Sequence, residues 1–315
     1  MEHLLEIYEK NYKKRFTRRQ KRIFGKQLMH DMEEAGYQGK RIDDKFLLSR
    51  VENYVFGSLK TAKRVIIVPY DTPERKFWFQ SPYYPFNGTR TTQKSMKATF
   101  VPFIILYVII LLGLWITNMI ASPLLGSIVS FIMFLLVLFL IYFMLHGIAN
   151  PNNAIRNTSS ICTALSLAKR FNKDERRQTA FIFTDQNKRK FLGSQACIKL
   201  FEEAHVNPSI IILDCVGAPN DIWIGCPTQY RKMANELIQS IKNKQQRPEI
   251  IKMNEVMKLQ HASQYFKRFV LLCAGSKDDD QEVVVYNTSM AKEKHVSMDN
   301  MKKVEEMLYT YIHQL

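Results

Sequence analysis

Two stretches of the chain are apolar at almost every position, and the rest alternates. Residues 100–120 (FVPFIILYVIILLGLWITNMI) and 124–145 (LLGSIVSFIMFLLVLFLIYFML) each exceed twenty residues. A helix needs about 20 apolar residues to cross a hydrocarbon core about 30 Å thick, so each stretch reads as a transmembrane helix. Ala121-Ser122-Pro123 is too short to be more than a tight turn, so the two form a hairpin. Pro102 falls near the start of the first helix, where a missing N–H costs little. Both lie within residues 98–155, which contain no Lys, Arg, Asp or Glu.

Elsewhere the pattern is that of a layered domain. Leu4, Tyr8, Tyr12, Phe16, Phe24, Leu28 and Met32 lie on one helical stripe, which predicts an amphipathic helix over 1–37, ended at Gly36-Tyr37. The β-rich runs 51–56 (VENYVF) and 64–70 (RVIIVPY) flank a turn and read as a strand pair. An aromatic, Pro-containing loop then leads to the first apolar helix. Beyond the hairpin, strands are expected at 179–184, 209–216, 222–225, 269–274 and 282–286. Helices are expected at 161–171, 193–204, 229–244 and 299–313. Such alternation implies an α/β domain with a mostly parallel central sheet flanked by helices. The hairpin interrupts it, so the expected organisation is a discontinuous cytoplasmic domain (1–97 and 148–315) carrying an inserted transmembrane hairpin (98–147).

Charge gives the orientation. The chain has a net charge of +16, with 21 Lys+Arg against 11 Asp+Glu in residues 1–97 and 24 against 18 in 156–315. Basic flanks and an uncharged far turn place both termini in the cytoplasm by the positive-inside rule. The charged start MEHLLEIYEKNYKKRF has no signal-peptide h-region. The expectation is an integral membrane protein, of the plasma membrane if the source is prokaryotic. Five cysteines, an odd number without CxxC spacing, read as free thiols filling a core. Residues 13–22 (KKRFTRRQKR) are seven-tenths basic and leave three readings: a solvated helix face, contact with anionic headgroups through Arg18, Arg19, Lys21 and Arg22, or nucleic acid. The last is not expected, because no nucleic-acid-binding pattern accompanies the cluster.

Five segments outside the hairpin, in order, resemble the di-zinc aminopeptidase family, whose relatives include glutamate carboxypeptidase, transferrin receptor, nicastrin and glutaminyl cyclase. They are RVIIVPYDT (64–72), RNTSSICTALSLAKRF (156–171), FIFTDQNKRKFLGSQACIKLFEE (181–203), IILDCVG (211–217) and VVVYNTSM (283–290). The resemblance implies a three-layer, zinc-exopeptidase-like fold. It also implies where two zinc ions would be held, and there the residues depart from the family. Pro69 stands at the first His position, with Asp71 keeping the accessory carboxylate. Arg156 stands at the bridging Asp, Asn187 at the general base, Lys188 at the neighbouring acidic ligand and Asn287 at the last His. Asp214 alone keeps a ligand. Zinc needs lone pairs from imidazole, carboxylate or thiolate, and a neutral amide cannot deprotonate water at neutral pH. No metal or other cofactor is therefore expected, and Arg156 and Lys188 are expected near Asp214, neutralising it as metals would.

The expected function is a catalytically inactive, aminopeptidase-like membrane protein acting as a scaffold, binding or regulatory subunit of a membrane complex. The alternative is a membrane-bound hydrolase, zinc-independent or single-metal, with a rebuilt site. A transporter formed by the hairpin is disfavoured, since its helices lack ionisable residues. The expected partners are membrane proteins, met through the aromatic loop residues Phe77, Trp78, Phe79, Tyr83, Tyr84 and Phe86. His205, His261, His295 and His313 show no metal-ligand spacing and read as surface or cap residues. Ser194 reads as a helix N-cap.

Overall fold

The computed structural model describes residues 1–46, 49–76, 81–120, 122–186, 191–241, 247–291, 293 and 295–314. Asn187, Lys188, Phe77, Trp78 and Phe79 lie outside the described residues.

The N-terminal stripe forms two helices, α1 (Glu2–Asn11) and α2 (Arg18–Glu34), instead of one. A capping box starts the second: the Thr17 hydroxyl accepts from the Gln20 N–H, and the Gln20 side chain accepts from the Thr17 N–H. The break turns Arg15 inward, fully buried. Its Nε donates to the Tyr70 carbonyl (2.5 Å), Nη1 to the Tyr12 carbonyl (2.6 Å) and Nη2 to Thr158 Oγ1 (3.0 Å).

Among the described residues, nine strands make one sheet: β1 (Gly39–Phe46), β2 (Ser49–Phe56), β3 (Arg64–Pro69), β4 (Thr179–Thr184), β5 (Ser209–Leu213), β6 (Asp221–Cys226), β7 (Glu249–Lys252), β8 (Phe269–Lys277) and β9 (Val283–Val284). Their order is β1-β2-β4-β3-β5-β8-β6-β7, with β9 also on β8. The sheet is mixed, which corrects the expected mostly parallel arrangement. β4, β3, β5 and β8 run parallel at its centre, while β1, β2, β6 and β9 join through antiparallel pairs. β2 and β3 are not a hairpin either: β4 lies between them, and β2 pairs instead with β1.

Along β3 the side chains alternate between the two faces, as the strand period of two requires. Ile66 and Val68 join one core with residues of α1, α2, α5 (Ser159–Arg170), α8 (Arg231–Gln239) and α10 (Met298–His313). Val65 and Ile67 join the other with Cys197, Leu200 and Phe201 of α7 (Leu192–Glu203). Helices thus cover both faces of the sheet, with the short α6 (Lys173–Gln178) leading into β4. All five cysteines are buried and unpaired.

The two apolar stretches form α3 (Gly88–Met119) and α4 (Pro123–His146), packed as a hairpin with Gly113 against Met133. Both are long and apolar enough to cross a membrane, and their side chains are almost entirely uncovered. α3 starts ten residues before the uncharged stretch, and its first turns are fixed to the domain. Asn87 caps it, accepting from the Arg90 N–H. Arg90 pairs with Asp278, Asp280 and Glu282 and covers the Tyr84 ring. Thr89 donates to the Val256 carbonyl in α9 (Glu255–Lys258). A Cβ on Gly88 would come within 2.3 Å of the Leu259 carbonyl, so only glycine fits. On the other side α4 returns directly into the domain: the Arg75 N–H bonds the Ile148 carbonyl (2.7 Å), and Glu74 bridges to Ala149.

Candidate functional site

The site lies beyond the carboxyl ends of the central parallel strands, where open α/β sheets place their ligand crevices. β3 ends in Pro69 and leads to Asp71, while β5 leads to Asp214. A single π turn at Ala154–Thr158, just before α5, supplies Arg156 and Asn157. Pro69, Asp71, Arg156 and Asp214 all line one cavity of about 230 Å³. These are four of the seven positions singled out by the family resemblance. Asn287 is not with them. It has a left-handed backbone (φ 65°) and lines a separate cavity, so its neighbours Thr288 and Ser289 face the Asp214 side instead.

Asp214 is buried, and three groups converge on it. Arg156 Nε lies 3.6 Å from Oδ1. The Tyr83 hydroxyl donates to Oδ2. His261 Nε2 lies 3.9 Å from the same oxygen and 3.3 Å from the Tyr83 hydroxyl. The ring's other nitrogen, Nδ1, accepts from the Ser263 N–H, which leaves the ring proton on Nε2, pointed at this cluster. Burial works to raise the Asp214 carboxyl, but the Arg156 charge, helped by His261 and Tyr83, brings it down to about 2. Burial pushes the Tyr83 hydroxyl well up, so it stays a donor. Arg156 also lies over the Tyr83 ring, 3.2 Å from its centroid.

A second buried carboxyl supports this one from below. Glu293 accepts from the Arg156 N–H (2.7 Å) and from Asn150 Nδ2 (3.3 Å), tying down the turn that carries the guanidinium. Burial raises it to about 8. On the far side of β3, Lys21 is buried and pairs with Asp185, itself raised to about 6 by burial.

Several expected contacts are corrected by burial. Tyr83, Tyr84 and Phe86 are each at most 5% exposed. Tyr83 belongs to the Asp214 cluster, Tyr84 donates to Asp278, and Phe86 packs on Gly225, so none of them offers a partner surface. Lys21 is buried and pairs with Asp185, so its ammonium is not on the surface. Arg18 and Arg22 reach Glu52 with half-exposed side chains, and Arg19 is exposed. His261 does cap a short 3-10 turn, as expected, but it is 1% exposed and part of the site. Ser194 is buried within α7 and does not cap it; Phe191 holds that position. Nothing local in the sequence marks Tyr83, His261 and Glu293 as parts of one site, because they come from three loops far apart in the chain.

No sequence-family model matches the chain, and no curated protein matches it in sequence. Solved structures do. The Porphyromonas gingivalis glutaminyl cyclase superposes with a TM-score of 0.62 at 12% identity, over 99% of this chain and 97% of its own. A Zn-dependent exopeptidase from Parabacteroides distasonis gives 0.56 at 12%, covering 99% and 98%. The Legionella pneumophila aminopeptidase LapA gives 0.57 at 13%, covering 99% and 68%. The chain therefore has the zinc-aminopeptidase-like fold. At the described positions where zinc ligands were expected, Pro69 has no lone pair to offer and Arg156 is a cation, which does not fit a zinc pair. Among the described residues, no group of three or more His, Cys, Asp or Glu could hold a metal. Asp214, expected from the resemblance to keep a ligand position, already faces a guanidinium and a phenol.

Proposed function

We propose that this chain is a non-catalytic, aminopeptidase-fold membrane protein that serves as a binding or scaffold subunit of a membrane complex. The observation that carries the reading is the Arg156 side chain on Asp214. A permanent cation 3.6 Å from a carboxylate opposes a dication at the same oxygen, and Pro69 beside it offers no lone pair. The hairpin is taken to span the bilayer, since two helices of lipid-crossing length leave their apolar side chains uncovered. Both termini then lie with the domain on one side, the cytoplasm by the charge of the flanks. Arg18, Arg19 and Arg22 remain the candidate contacts for anionic headgroups.

A hydrolase with a rebuilt site draws on one observation, the meeting of His261 and Tyr83 at Asp214 inside a cavity. It is the weaker reading, because Asp214 is held ionised by Arg156 and already accepts from Tyr83. Purified full-length protein, measured for bound zinc by elemental analysis and for aminoacyl-anilide hydrolysis, separates the two. Neither zinc nor turnover is expected; stoichiometric zinc with turnover would overturn the proposal. Crosslinking in native membranes then tests the scaffold role, and recovery of this chain alone counts against it.

A further inference from the structure

The Asp214 cavity sits at the root of the hairpin. Two of its lining residues, Thr91 and Ser95, belong to the first turns of α3. At 1.5 Å of rise per residue they lie about 10 Å and about 5 Å before the uncharged stretch begins at Ala98. Pro73 and Glu74 also line it, and they pair through the backbone with Asn150 and Ala149, only a few residues past the end of α4. Both membrane-facing ends of the domain thus frame the same opening. The Arg90 clamp fixes α3 to the domain, so this placement is built in.

The cavity's chemistry selects a small cation. Asn157 is 3% exposed; its amide N–H donates to the Asp71 carbonyl, while its Oδ1 has no hydrogen-bond donor. A buried acceptor without a partner is costly to leave so, and Asn157 lines the cavity. Ser289 Oγ, also lining it, is buried without a partner as well. Three carboxylates (Asp71, Glu74, Asp214) and two cations (Lys76, Arg156) share the lining, so both an ammonium and a phosphate find an opposite charge there. A volume of about 230 Å³ is below the roughly 300–1,000 Å³ of clefts that take drug-sized ligands, and suits a headgroup. A quaternary ammonium would need an open aromatic face; Arg156 covers that of Tyr83, and Phe191, the other ring in the lining, packs on His261. A primary ammonium brings N–H donors that Asn157 Oδ1 and Ser289 can accept, while Lys76 can meet an adjoining phosphate.

We propose that this cavity binds the headgroup of a primary-amine phospholipid, such as phosphatidylethanolamine, drawn from the leaflet that the hairpin enters. The proposal rests on the transmembrane reading of α3 and α4, which is tested separately by alkaline carbonate extraction: release of the chain from membranes defeats that reading. The binding itself is tested on delipidated full-length protein in detergent by native mass spectrometry, with phosphatidylethanolamine, phosphatidylcholine and soluble phosphoethanolamine as probes. Loss of the ammonium contact corresponds to roughly ten- to hundredfold in affinity, so retention of the ethanolamine lipid over the choline lipid by at least about tenfold is expected. Asn157→Leu should remove the preference. Because that residue also bonds the Asp71 carbonyl, a second variant, Ser95→Trp, which puts an indole on the α3 residue in the cavity lining, should do the same. Equal retention of the two lipids, or a preference unchanged by Ser95→Trp, would overturn the proposal. So would phosphoethanolamine binding as tightly as the lipid, which would make the source aqueous, or displacement of the lipid by a short peptide with a free N-terminus.

Discussion

Arg156 and Asp214 face each other over the carboxyl end of the sheet, Nε 3.6 Å from Oδ1, with the carboxylate almost wholly buried and the guanidinium still partly open to solvent. The pair joins the turn before α5 to the loop after β5. The Cys215 N–H reinforces the link by bonding the Arg156 carbonyl (3.3 Å).

Removing the cation leaves the carboxylate stranded. Arg156→Met is expected to destabilise the domain by about 2–4 kcal/mol, slightly below the usual cost of breaking a fully buried pair because the guanidinium is partly exposed. Asp214→Asn added to it should restore more than half of the loss, since no unpaired charge then remains. Thermal unfolding of the four proteins in detergent, treated as a double-mutant cycle, measures this. Additive losses would mean that the two side chains do not interact.

Much of this site could be read from the chain, and the reasons differ by residue. Asp214, Pro69, Asp71 and Arg156 end or follow strands or precede a helix in the segments that resemble the aminopeptidase family, and it is that resemblance, not the apolar pattern, that brings them together. Asn287 follows the two-residue strand β9, where no periodicity fixes the register, and its left-handed backbone turns it to the neighbouring cavity. β1 escaped notice because GKRIDDKF is an edge strand whose side chains are mostly solvated, held by its pairing with β2. The aromatic loop misled in the opposite direction. Its tyrosines look like a sticky surface, but Tyr83 and Tyr84 each place a hydroxyl on a carboxylate, which allows an amphipathic ring to be buried.

Arg15 offers a second test of how buried cations hold this fold. Its fork bonds two carbonyls and a hydroxyl in three separate segments. A lysine keeps the charge but cannot reproduce the planar fork. Arg15→Lys is therefore expected to cost at least about 2 kcal/mol, because buried acceptors lose their donors. Hydrogen exchange should quicken in α1, which Arg15 helps fasten to Tyr70 and Thr158. Stability equal to that of the parent protein would show that an ammonium suffices.

The root of α3 depends on Arg90. Its guanidinium meets Asp278, Asp280 and Glu282 and covers the Tyr84 ring. Arg90→Ala is expected to cost about 1–2 kcal/mol, more than a single exposed ion pair because several carboxylates share the cation. Its clearest sign should be local: cleavage by added protease near residues 278–282 should rise while the rest of the domain stays protected. Unchanged cleavage would show that Asn87, Thr89 and Gly88 fix the helix without it.

Glu293 should set the neutral-pH dependence of stability. Burial raises it to about 8 in the folded chain, against an ordinary value of 4.5. The folded state therefore keeps a proton that the unfolded chain releases. Linkage gives the sign: the contribution is complete below pH 4.5, falls as pH rises, and is lost as pH passes about 8. Asp214 acts oppositely, since it is lowered from 3.8 to about 2 and its contribution is lost only as pH falls through that range. Asp185, raised to about 6, adds its own decline at lower pH than Glu293. Between about pH 6.5 and 8.5 the fall in melting temperature should thus come mainly from Glu293. Glu293→Gln, which cannot ionise, should flatten that segment while leaving the acid limb below pH 4 in place. The Arg156 N–H would keep an acceptor in the amide oxygen, so the turn that holds the guanidinium should persist. Parallel profiles for the parent and the variant from pH 6.5 to 8.5 would assign the dependence to another group.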